Sequence, residues 1–423
     1  MRPLNEDDIR DVVADAIRAG ATLDIRGGGS KAGIGAPRPE ARPLDLSGLA
    51  GVIDYDPAEL VLTVRAGTPL AEVERLVSER GQMLAFDPFD HGPILGEAAG
   101  AATIGGVVAA GVSGSLRLSG GGARDHLLGL RAVSGRGESF VAGAKVVKNV
   151  TGYDLPKLAA GSWGRLFAIT ELTLKVLPRA PVAATRAVEG LDPAAAVRVM
   201  AAAMGSQAEV GAAAHLPADL NDGRSLTALR LLGFGPSVAA RAAMVEQLLG
   251  EHGAVLALDG EADAAWWRRL CTLEALLKPL PFRGGVGAGP VREGSGLGET
   301  SPTPNPSPEG EGLELGTAVT PLWRVNVPSS GGPSVVAALA PLGARWLFDW
   351  AGGLVWIAFD GDASAVRDAA AKAGGHAILV RAPEAMRAAV PAFHPQAPGV
   401  AALEERVRRA FDPAGVFETG RFQ

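Results

Sequence analysis

The sequence contains few of the residues that build disulfide bonds, cysteine-based metal sites or membrane spans. Cys271 is the single cysteine among 423 residues, which excludes an internal disulfide and any zinc or iron–sulfur site made from cysteines. The longest apolar stretch, Ala98 to Val112, falls short of the roughly 20 residues that a membrane span requires. The N-terminus has neither a basic region nor an apolar run, so we expect no signal peptide, no transmembrane segment and a cytoplasmic location.

The chain also lacks an excess of positive charge and any pairing of histidines. Its net charge is −6, with lysines and arginines scattered along the sequence, so nucleic acid is not an expected partner. None of the six histidines stands two or four positions from another, so no metal site is predicted. His376 and His394 are the two histidines considered as candidate functional residues, and each is more simply explained as a structural or surface residue.

Hydrophobic patterns divide the chain into an N-terminal unit, residues 1–182, and a second α+β domain. In the first unit the patterns predict a surface helix near residues 9–17 and strands at Ala21–Arg26, Leu60–Gly67 and Arg165–Pro178. Thr68 and Pro69 predict the N-cap and first position of a helix over residues 70–80. The sequence SGRGE lies between two strand-like runs and predicts a β-hairpin.

The second domain is predicted in two parts, residues 183–283 and 319–423, the latter including the C-terminal segment. Between them, residues 284–318 are rich in glycine and proline and contain almost no core-forming side chains. Such a segment cannot bury enough apolar area to offset its ordering entropy, so we interpret it as a disordered insertion.

The run TLDIRGGGSKAGIG, Thr22 to Gly35, is typical of a loop that binds an anion. It fits neither a Rossmann motif, because the prolines that follow prevent a helix, nor a P-loop, because no Gly-Lys-Ser/Thr is present. Consecutive N–H groups, with Ser30 and Lys31, form the type of nest that binds phosphate. The alternative is an ordinary tight turn.

Two further glycine-rich segments follow in the first unit. TIGGVVAAGVSG, Thr103 to Gly114, has no side chain larger than isoleucine, and Gly161 and Gly164 precede a strand. Glycine in a buried segment costs roughly 0.5–1 kcal/mol relative to alanine, and close approach of a flat or extended ligand would explain it. Tight packing of a helix on a sheet is the alternative.

Taken in order, RGGGSK, TIGG, RDHLLGL, KNVTGYDLPKL and GSWGRLFAITELTLKVLP resemble the FAD-binding domain of the vanillyl-alcohol-oxidase family, also called PCMH-type. Within this family, the sequence is most similar to the accessory FAD-binding subunits of bacterial glycolate oxidases, and the resemblance extends to LWRVNVP and the C-terminal FDPAGVF. The resemblance implies a PCMH-type FAD-binding domain of two α+β subdomains, followed by a smaller α+β C-terminal domain.

The resemblance also implies a cofactor site for non-covalently bound FAD. Covalent members attach the flavin through a histidine after the first glycine run, where this chain has Ser30. Residues placed at the diphosphate are Arg26, Gly27, Gly28, Gly29, Ser30 and Lys31. Residues placed along the ribityl chain and isoalloxazine are Thr103, Ile104, Gly105, Gly106, Ser113 and Gly114, and those on the other face are Gly161, Gly164 and Ile169. Gly28 and Gly105 are expected to lack side chains because cofactor atoms occupy that space.

This sequence departs from the family pattern in three places. Trp163 stands where many relatives have glutamate, Phe167 where many have glycine, and Glu418-Thr419 where asparagine and proline are usual. The first two leave the local flavin contacts open, and the third leaves the role of the C-terminus open.

By the same resemblance, the chain is expected to take part, within a complex, in oxidising glycolate to glyoxylate. Its expected partners are a catalytic FAD-containing subunit, an iron–sulfur subunit and a small 2-hydroxy acid, with the complex at the inner face of the membrane. No catalytic residue is assigned. Two alternatives remain open: a self-sufficient FAD-dependent 2-hydroxy-acid dehydrogenase, and a flavin-free scaffold that holds a partner.

Overall fold

A computed structural model describes residues 1–144, 153–277 and 319–422. The proposed insertion at 284–318, and the first residues of KNVTGYDLPKL, lie outside the described residues. The first unit contains these elements: α1 Glu6–Ala19, β1 Leu23–Arg26, β2 Arg42–Asp45, β3 Val52–Asp56, β4 Val61–Arg65, α2 Leu70–Ser78, β5 Gln82–Met83, α3 Ile104–Ala109, α4 Arg117–Gly120, α5 Ala123–His126, β6 Leu127–Ser134, β7 Ser139–Gly143, α6 Leu155–Ala159, β8 Phe167–Lys175 and β9 Leu177–Pro178.

Helix α1 shows how local sequence sets the ends of an element. The Asn5 side chain accepts a hydrogen bond from the Asp8 N–H, and Gly20 ends the helix with a φ of 59°. Ile9, Val13 and Ala16 recur at helical spacing and are buried. The predicted surface helix is therefore confirmed.

The first unit has two layers of strands that together position the glycine loop. Strands β1 and β2 form a parallel pair, and a five-stranded antiparallel sheet has the order β3-β4-β8-β6-β7. The predicted hairpin is confirmed as β6 and β7. The predicted cap at Thr68 is wrong: Pro69 occupies the N-cap, while the Thr68 hydroxyl donates to the Arg65 carbonyl at 2.7 Å. The Thr68 side chain therefore hydrogen-bonds within the preceding turn and does not cap the helix.

The second unit is built on one large antiparallel sheet. Its elements are β10 Val182–Glu189, α7 Pro193–Met204, β11 Ala212–Leu216, β12 Leu226–Gly233, α8 Gly235–Gly250, β13 Val255–Asp259, α9 Glu261–Cys271, α10 Glu274–Leu277, β14 Leu322–Asn326, α11 Gly332–Leu339, β15 Arg345–Asp349, β16 Leu354–Ala358, α12 Ala363–Lys372, β17 His376–Arg381, α13 Glu384–Ala389 and α14 Pro398–Phe411. The eight strands have the order β13-β10-β12-β11-β15-β16-β14-β17. We propose the domain boundary just before β10, where the chain leaves the first sheet.

Alternation along these strands gives the large sheet two buried faces. Trp323 and Val325 on β14 belong to the core beneath α7, α8, α11 and α12. The opposite face includes Leu322 and Trp356, which share a core with Ile34 and Leu116 of the first unit. The second unit therefore packs directly on the first.

The C-terminal segment returns to the first unit. The ring of Phe411, at the end of α14, lies 5.1 Å from that of Phe167, and the Val416 carbonyl accepts a hydrogen bond from the Leu23 N–H at 2.7 Å. This return brings the last residues of the chain to the glycine loop. No helix among the described ranges is both long and apolar enough to cross a membrane.

Candidate functional site: a cleft at the glycine loop

The glycine loop leaves β1 as a series of turns with no helix behind it. Gly29 has a φ of 83° and Gly35 a φ of 82°, and the Ala32 N–H donates to the Gly29 carbonyl at 2.8 Å. The sequence argument against a Rossmann or P-loop arrangement therefore agrees with the structure. The segment is instead an irregular backbone loop in which Gly29 and Gly35 have positive φ angles.

The second glycine-rich segment is the short helix α3, which lies beside this loop. The Thr103 hydroxyl caps α3 by accepting from the Gly106 N–H at 3.3 Å. A Cβ atom built on Gly27 would lie 2.1 Å from that same hydroxyl oxygen. Gly27 thus allows the loop to approach the N-terminal end of α3.

The Cβ positions of Gly28 and Gly105 are occupied by protein atoms, contrary to expectation. A Cβ on Gly28 would lie 1.9 Å from the Ala101 carbonyl oxygen, and one on Gly105 would lie 2.7 Å from both the Cβ and the carbonyl oxygen of Ala66. The proposal that cofactor atoms fill these two spaces is wrong, because backbone and side-chain atoms of the first unit fill them. Gly29 differs, since a Cβ there would meet no heavy atom within 4 Å.

Loop and helix enclose a cleft of about 790 Å³, including its opening to solvent. Most of the predicted cofactor residues line it: Arg26, Gly27, Gly28, Gly29, Ser30, Lys31, Thr103, Gly105, Gly106, Gly164 and Ile169. The cleft therefore brings eleven of the fifteen predicted cofactor residues to one opening.

The other four predicted residues do not line the cleft. Ile104 is buried in the core of the first unit, and the Gly161 N–H donates to the Val108 carbonyl at 3.1 Å. The Ser113 hydroxyl accepts from the Ala123 N–H at 3.1 Å, and the Gly114 carbonyl accepts from Trp350 Nε1 at 2.9 Å. Gly114 thus lies where the two units meet, whereas Ser113 stabilises the start of α5 within the first unit, and their resemblance to family residues gave no indication of this.

Several cleft residues were not predicted. They are Ile25, Ala32, Leu46, Ala66, Ala109, Ala110, Trp163, Phe167, Arg421 and Phe422. The C-terminal motif belongs to the family resemblance, but nothing in the sequence indicates that residue 421 contacts residue 31. Contacts between residues that are so far apart in the sequence cannot be predicted from local patterns.

Aromatic rings form one wall of the cleft. Trp163 has a φ of 57°, and its ring lies 5.3 Å from that of Phe422 and 5.8 Å from that of Phe393. Phe393 and Phe422 stack with centroids 4.9 Å apart. Trp163, in place of the glutamate of many relatives, therefore joins Phe422 of the C-terminal segment in an apolar wall.

Positive charge is concentrated at the loop end of the cleft. Asp24 accepts hydrogen bonds from Arg26 Nε at 2.7 Å and from Arg421 Nη1 at 3.1 Å, so one carboxylate faces two guanidinium groups. Burial lowers the pKa of Lys31 to about 8, an effect that the nearby Asp90 partly offsets. The excess of positive charge and the open space at Gly29 both fit a diphosphate.

A second polar group lies on the large sheet, on the face that packs against the first unit. Arg324 follows Trp323 on β14, and its guanidinium carbon lies 5.1 Å from the centre of the Trp350 ring. Within the part of the chain that the structure describes, Arg324 has no carboxylate at ion-pair distance. Burial lowers the pKa of Arg324 to about 10, and the Arg117 charge lowers it further while Asp349 opposes the shift.

Asp349 joins the two units beside this arginine. It accepts from the Ser115 hydroxyl at 2.7 Å and from the Trp350 N–H at 2.7 Å. Burial raises the pKa of Asp349 to about 7, and the neighbouring Asp87 raises it as well, against the hydrogen bonds and the Arg324 charge. The carboxyl of Asp349 therefore keeps its proton to a higher pH than an ordinary aspartate does.

Histidines near these groups do not form a metal centre. The buried ring of His91 stacks on Phe89 at 4.7 Å, and its Nδ1 atom has no hydrogen-bond partner. His394 Nδ1 accepts from the Ala377 N–H at 3.3 Å, as expected of a structural histidine. Over residues 1–144, 153–277 and 319–422, no cluster of three metal-ligating side chains is found.

Comparison with known proteins agrees with this site. Residues 1–143 match the family described as "FAD binding domain". Over 409 residues, 97% of this chain and 95% of the relative, the sequence is 30% identical to glycolate oxidase subunit GlcE of Escherichia coli (strain K12). The chain belongs to the GlcE family. It is thus a member of a family of FAD-binding oxidoreductase subunits.

Two further relatives match a smaller share of the chain. D-2-hydroxyglutarate dehydrogenase of Xanthomonas citri pv. viticola is 33% identical over 138 residues, which is 33% of this chain and 28% of that protein. D-lactate dehydrogenase of Anaerostipes hadrus is 32% identical over 160 residues, 38% of this chain and 30% of that protein. The similarity to these two relatives covers between a third and two fifths of this chain.

Solved structures extend the similarity to the whole fold. p-Cresol methylhydroxylase with substrate bound superposes with a TM-score of 0.68 at 14% identity, covering 100% of this chain and 88% of that one. Alkyldihydroxyacetonephosphate synthase gives a TM-score of 0.62 at 14% identity, covering 98% and 76%. The predicted PCMH-type fold of α+β units is confirmed.

Proposed function

We propose that this chain is the FAD-binding subunit of a glycolate oxidase complex that oxidises glycolate to glyoxylate. The similarity to GlcE over almost the whole of both chains is the observation that best supports this function. When bound, FAD supplies the acceptor for the hydride and its electrons. The chain's own residues hold the cofactor, neutralise its charge and exclude water from it.

In this proposal different residues of the cleft bind different parts of the cofactor. Residues 26–31 bind the diphosphate through loop N–H groups and the charges of Arg26 and Lys31. Thr103, Gly105 and Gly106 line the ribityl chain and isoalloxazine, with Gly164 and Ile169 on the opposite face. Ser113, Gly114, Gly161 and Ile104, which lie outside the cleft, act as structural residues. FAD is bound non-covalently, because Ser30 offers no attachment point.

The partners in this proposal are a catalytic FAD-containing subunit and an iron–sulfur subunit. The chain has one cysteine and so has no cysteine-based cluster of its own. In this proposal, electrons that reach its flavin pass to an acceptor on a partner subunit. We place the complex in the cytoplasm, at the inner face of the membrane.

A second candidate is a self-sufficient 2-hydroxy-acid dehydrogenase, and Arg324 favours it. A partly buried guanidinium group without a carboxylate at ion-pair distance costs free energy, and the carboxylate of a small acid would offset that cost. His91, with its unpaired Nδ1, lies close enough to Arg324 to be affected by its charge. In this candidate a 2-hydroxy acid binds between the large sheet and the first unit.

Anaerobic mixing of the isolated chain with glycolate or D-lactate separates the two candidates. The FAD-binding-subunit proposal expects the visible absorbance of the oxidised flavin to stay unchanged until the partner subunits are added. Bleaching by the isolated chain, lost in Arg324→Ala, would contradict the proposal and establish the second candidate.

A further inference from the structure

The carbonyl groups of the glycine loop are held by arginines from outside the loop. Arg421 donates from Nε to the Ile34 carbonyl at 2.7 Å and from Nη2 to the carbonyls of Lys31 and Ala32, the latter at 3.0 Å. Arg387, on α13 of the second unit, donates from Nη1 to the Gly33 carbonyl at 2.9 Å and to the Gly35 carbonyl at 3.4 Å. Every carbonyl from residue 31 to residue 35 therefore accepts a guanidinium hydrogen bond.

This arrangement fixes a backbone that the sequence alone leaves free. Glycines at positions 27–29, 33 and 35 give the segment wide conformational freedom, which costs entropy when it is ordered. Carbonyls that are held by cations are not free to turn toward an anion in the cleft. Arg421 also lines the cleft itself, so one side chain contacts both the loop and the cofactor space.

The same arginines determine the charge of the loop region. Arg26, Arg387 and Arg421 lie close together, whereas Asp24 is the carboxylate that pairs with two of them. The side chains of Arg421 and Asp24 are 11% and 12% exposed, so solvent screens this excess positive charge weakly. A diphosphate, with two negative charges, is the complement of this excess.

We propose that Arg421 and Arg387 are positioning residues for the FAD diphosphate. They hold the glycine loop in its anion-binding shape, so the cofactor binds tightly only when the C-terminal tail and the second unit are docked on the first. This inference rests on the proposed function of the cleft. It assigns part of the FAD site to residues far outside the N-terminal part that matches the FAD-binding family.

Titration of the apoprotein with FAD tests the proposal directly. We expect Arg421→Ala to raise the Kd for FAD at least about tenfold, equivalent to 1.4 kcal/mol, and Arg387→Ala to raise it by a smaller factor. Arg38→Ala is the matched control, because exposed Arg38 donates to the Gly420 carbonyl of the same tail at 2.9 Å without holding a loop carbonyl. Its Kd should stay within about twofold of the wild-type value.

Hydrogen exchange separates positioning from general loss of stability. In the Arg421→Ala apoprotein, amide exchange should accelerate over residues 27–36 and stay at the wild-type rate in the large sheet. If Arg421→Ala does not fold, Arg421→Met, which keeps the aliphatic stem, provides the same comparison, and Arg387→Ala tests the loop from the other unit.

The outcomes distinguish this inference from the proposed function. A wild-type apoprotein that binds no FAD contradicts the proposed function. Wild-type FAD binding that persists unchanged in Arg421→Met and Arg387→Ala, with unchanged exchange in the loop, overturns the inference and leaves the proposed function intact.

Discussion

Neighbouring glycines in the loop have different physical roles, which single substitutions can separate. Gly28 lies against the Ala101 carbonyl, whereas Gly29 faces open space with a φ of 83°. We expect Gly28→Val to lower the free energy of unfolding by about 3 kcal/mol or more, because the new side chain overlaps backbone atoms. Gly29→Ala should cost about 1–2 kcal/mol, from left-handed strain alone.

Urea unfolding of the two apoproteins measures this difference. The apoprotein is the right sample because a bound ligand would add its own stabilisation to both variants. Equal stability of Gly28→Val and wild type, with FAD binding alone lost, would restore the expectation that the cofactor fills the space at Gly28.

Asp349 predicts a pH-dependent contribution to stability. Its folded pKa of about 7 lies above the ordinary aspartate value, so the folded state binds more protons between about pH 4 and pH 7. Stability from this group therefore falls as pH rises through that window. We expect Asp349→Asn to be more stable than wild type at pH 8 by roughly 1–3 kcal/mol, and the advantage to shrink toward pH 5.

Thermal or urea unfolding at pH 5 and pH 8 checks the sign. Ser115→Ala is a useful companion, since it removes the hydroxyl that donates to Asp349 but leaves the carboxyl in place. An Asp349→Asn variant that is less stable than wild type at pH 8 would show that the ionised carboxylate is favoured in the folded protein.

At the scale of elements, local patterns predicted those features that depend on local chemistry. The α1 helix and the β6–β7 hairpin follow from helical spacing and turn residues, and both are confirmed. The cap at Thr68 failed because its hydroxyl can bind either the helix or the preceding turn, and it donates to the Arg65 carbonyl of that turn. Composition also cannot reveal the pairing of eight strands that are interrupted by a long insertion.

The segment 284–318 provides a prediction of its own. Its composition offers almost no apolar side chains to bury, so the folded state gains little from it. Replacing Gly287–Leu315 with a short Gly/Ser linker should leave the melting temperature and the FAD content unchanged. A loss of several degrees in a thermal scan, or loss of flavin, would mean that the segment contributes to the fold.

At the scale of the whole molecule, the sequence predicted the N-terminal residues of the cofactor cleft better than the residues that reach it from distant parts of the chain. Residues 26–31 and the α3 glycines are local motifs, and they do line the cleft. Arg421, Phe422 and Arg387 were missed as site residues because their contacts join distant parts of the chain. The contacts of Arg421 and Phe422 exist because the C-terminal segment returns to the first unit, and those of Arg387 because the second unit packs on the first; no local pattern indicates either.

The central claim is that this cleft binds FAD without a covalent bond. Its most direct measurement is the flavin content of the purified chain after acid precipitation, read from the absorbance of the supernatant and from the fluorescence of the denatured protein. The account predicts about one FAD per chain, all of it in the supernatant, as expected for a single cofactor cleft. A colourless wild-type chain that takes up no added FAD, or flavin that stays with the precipitated protein, would contradict it.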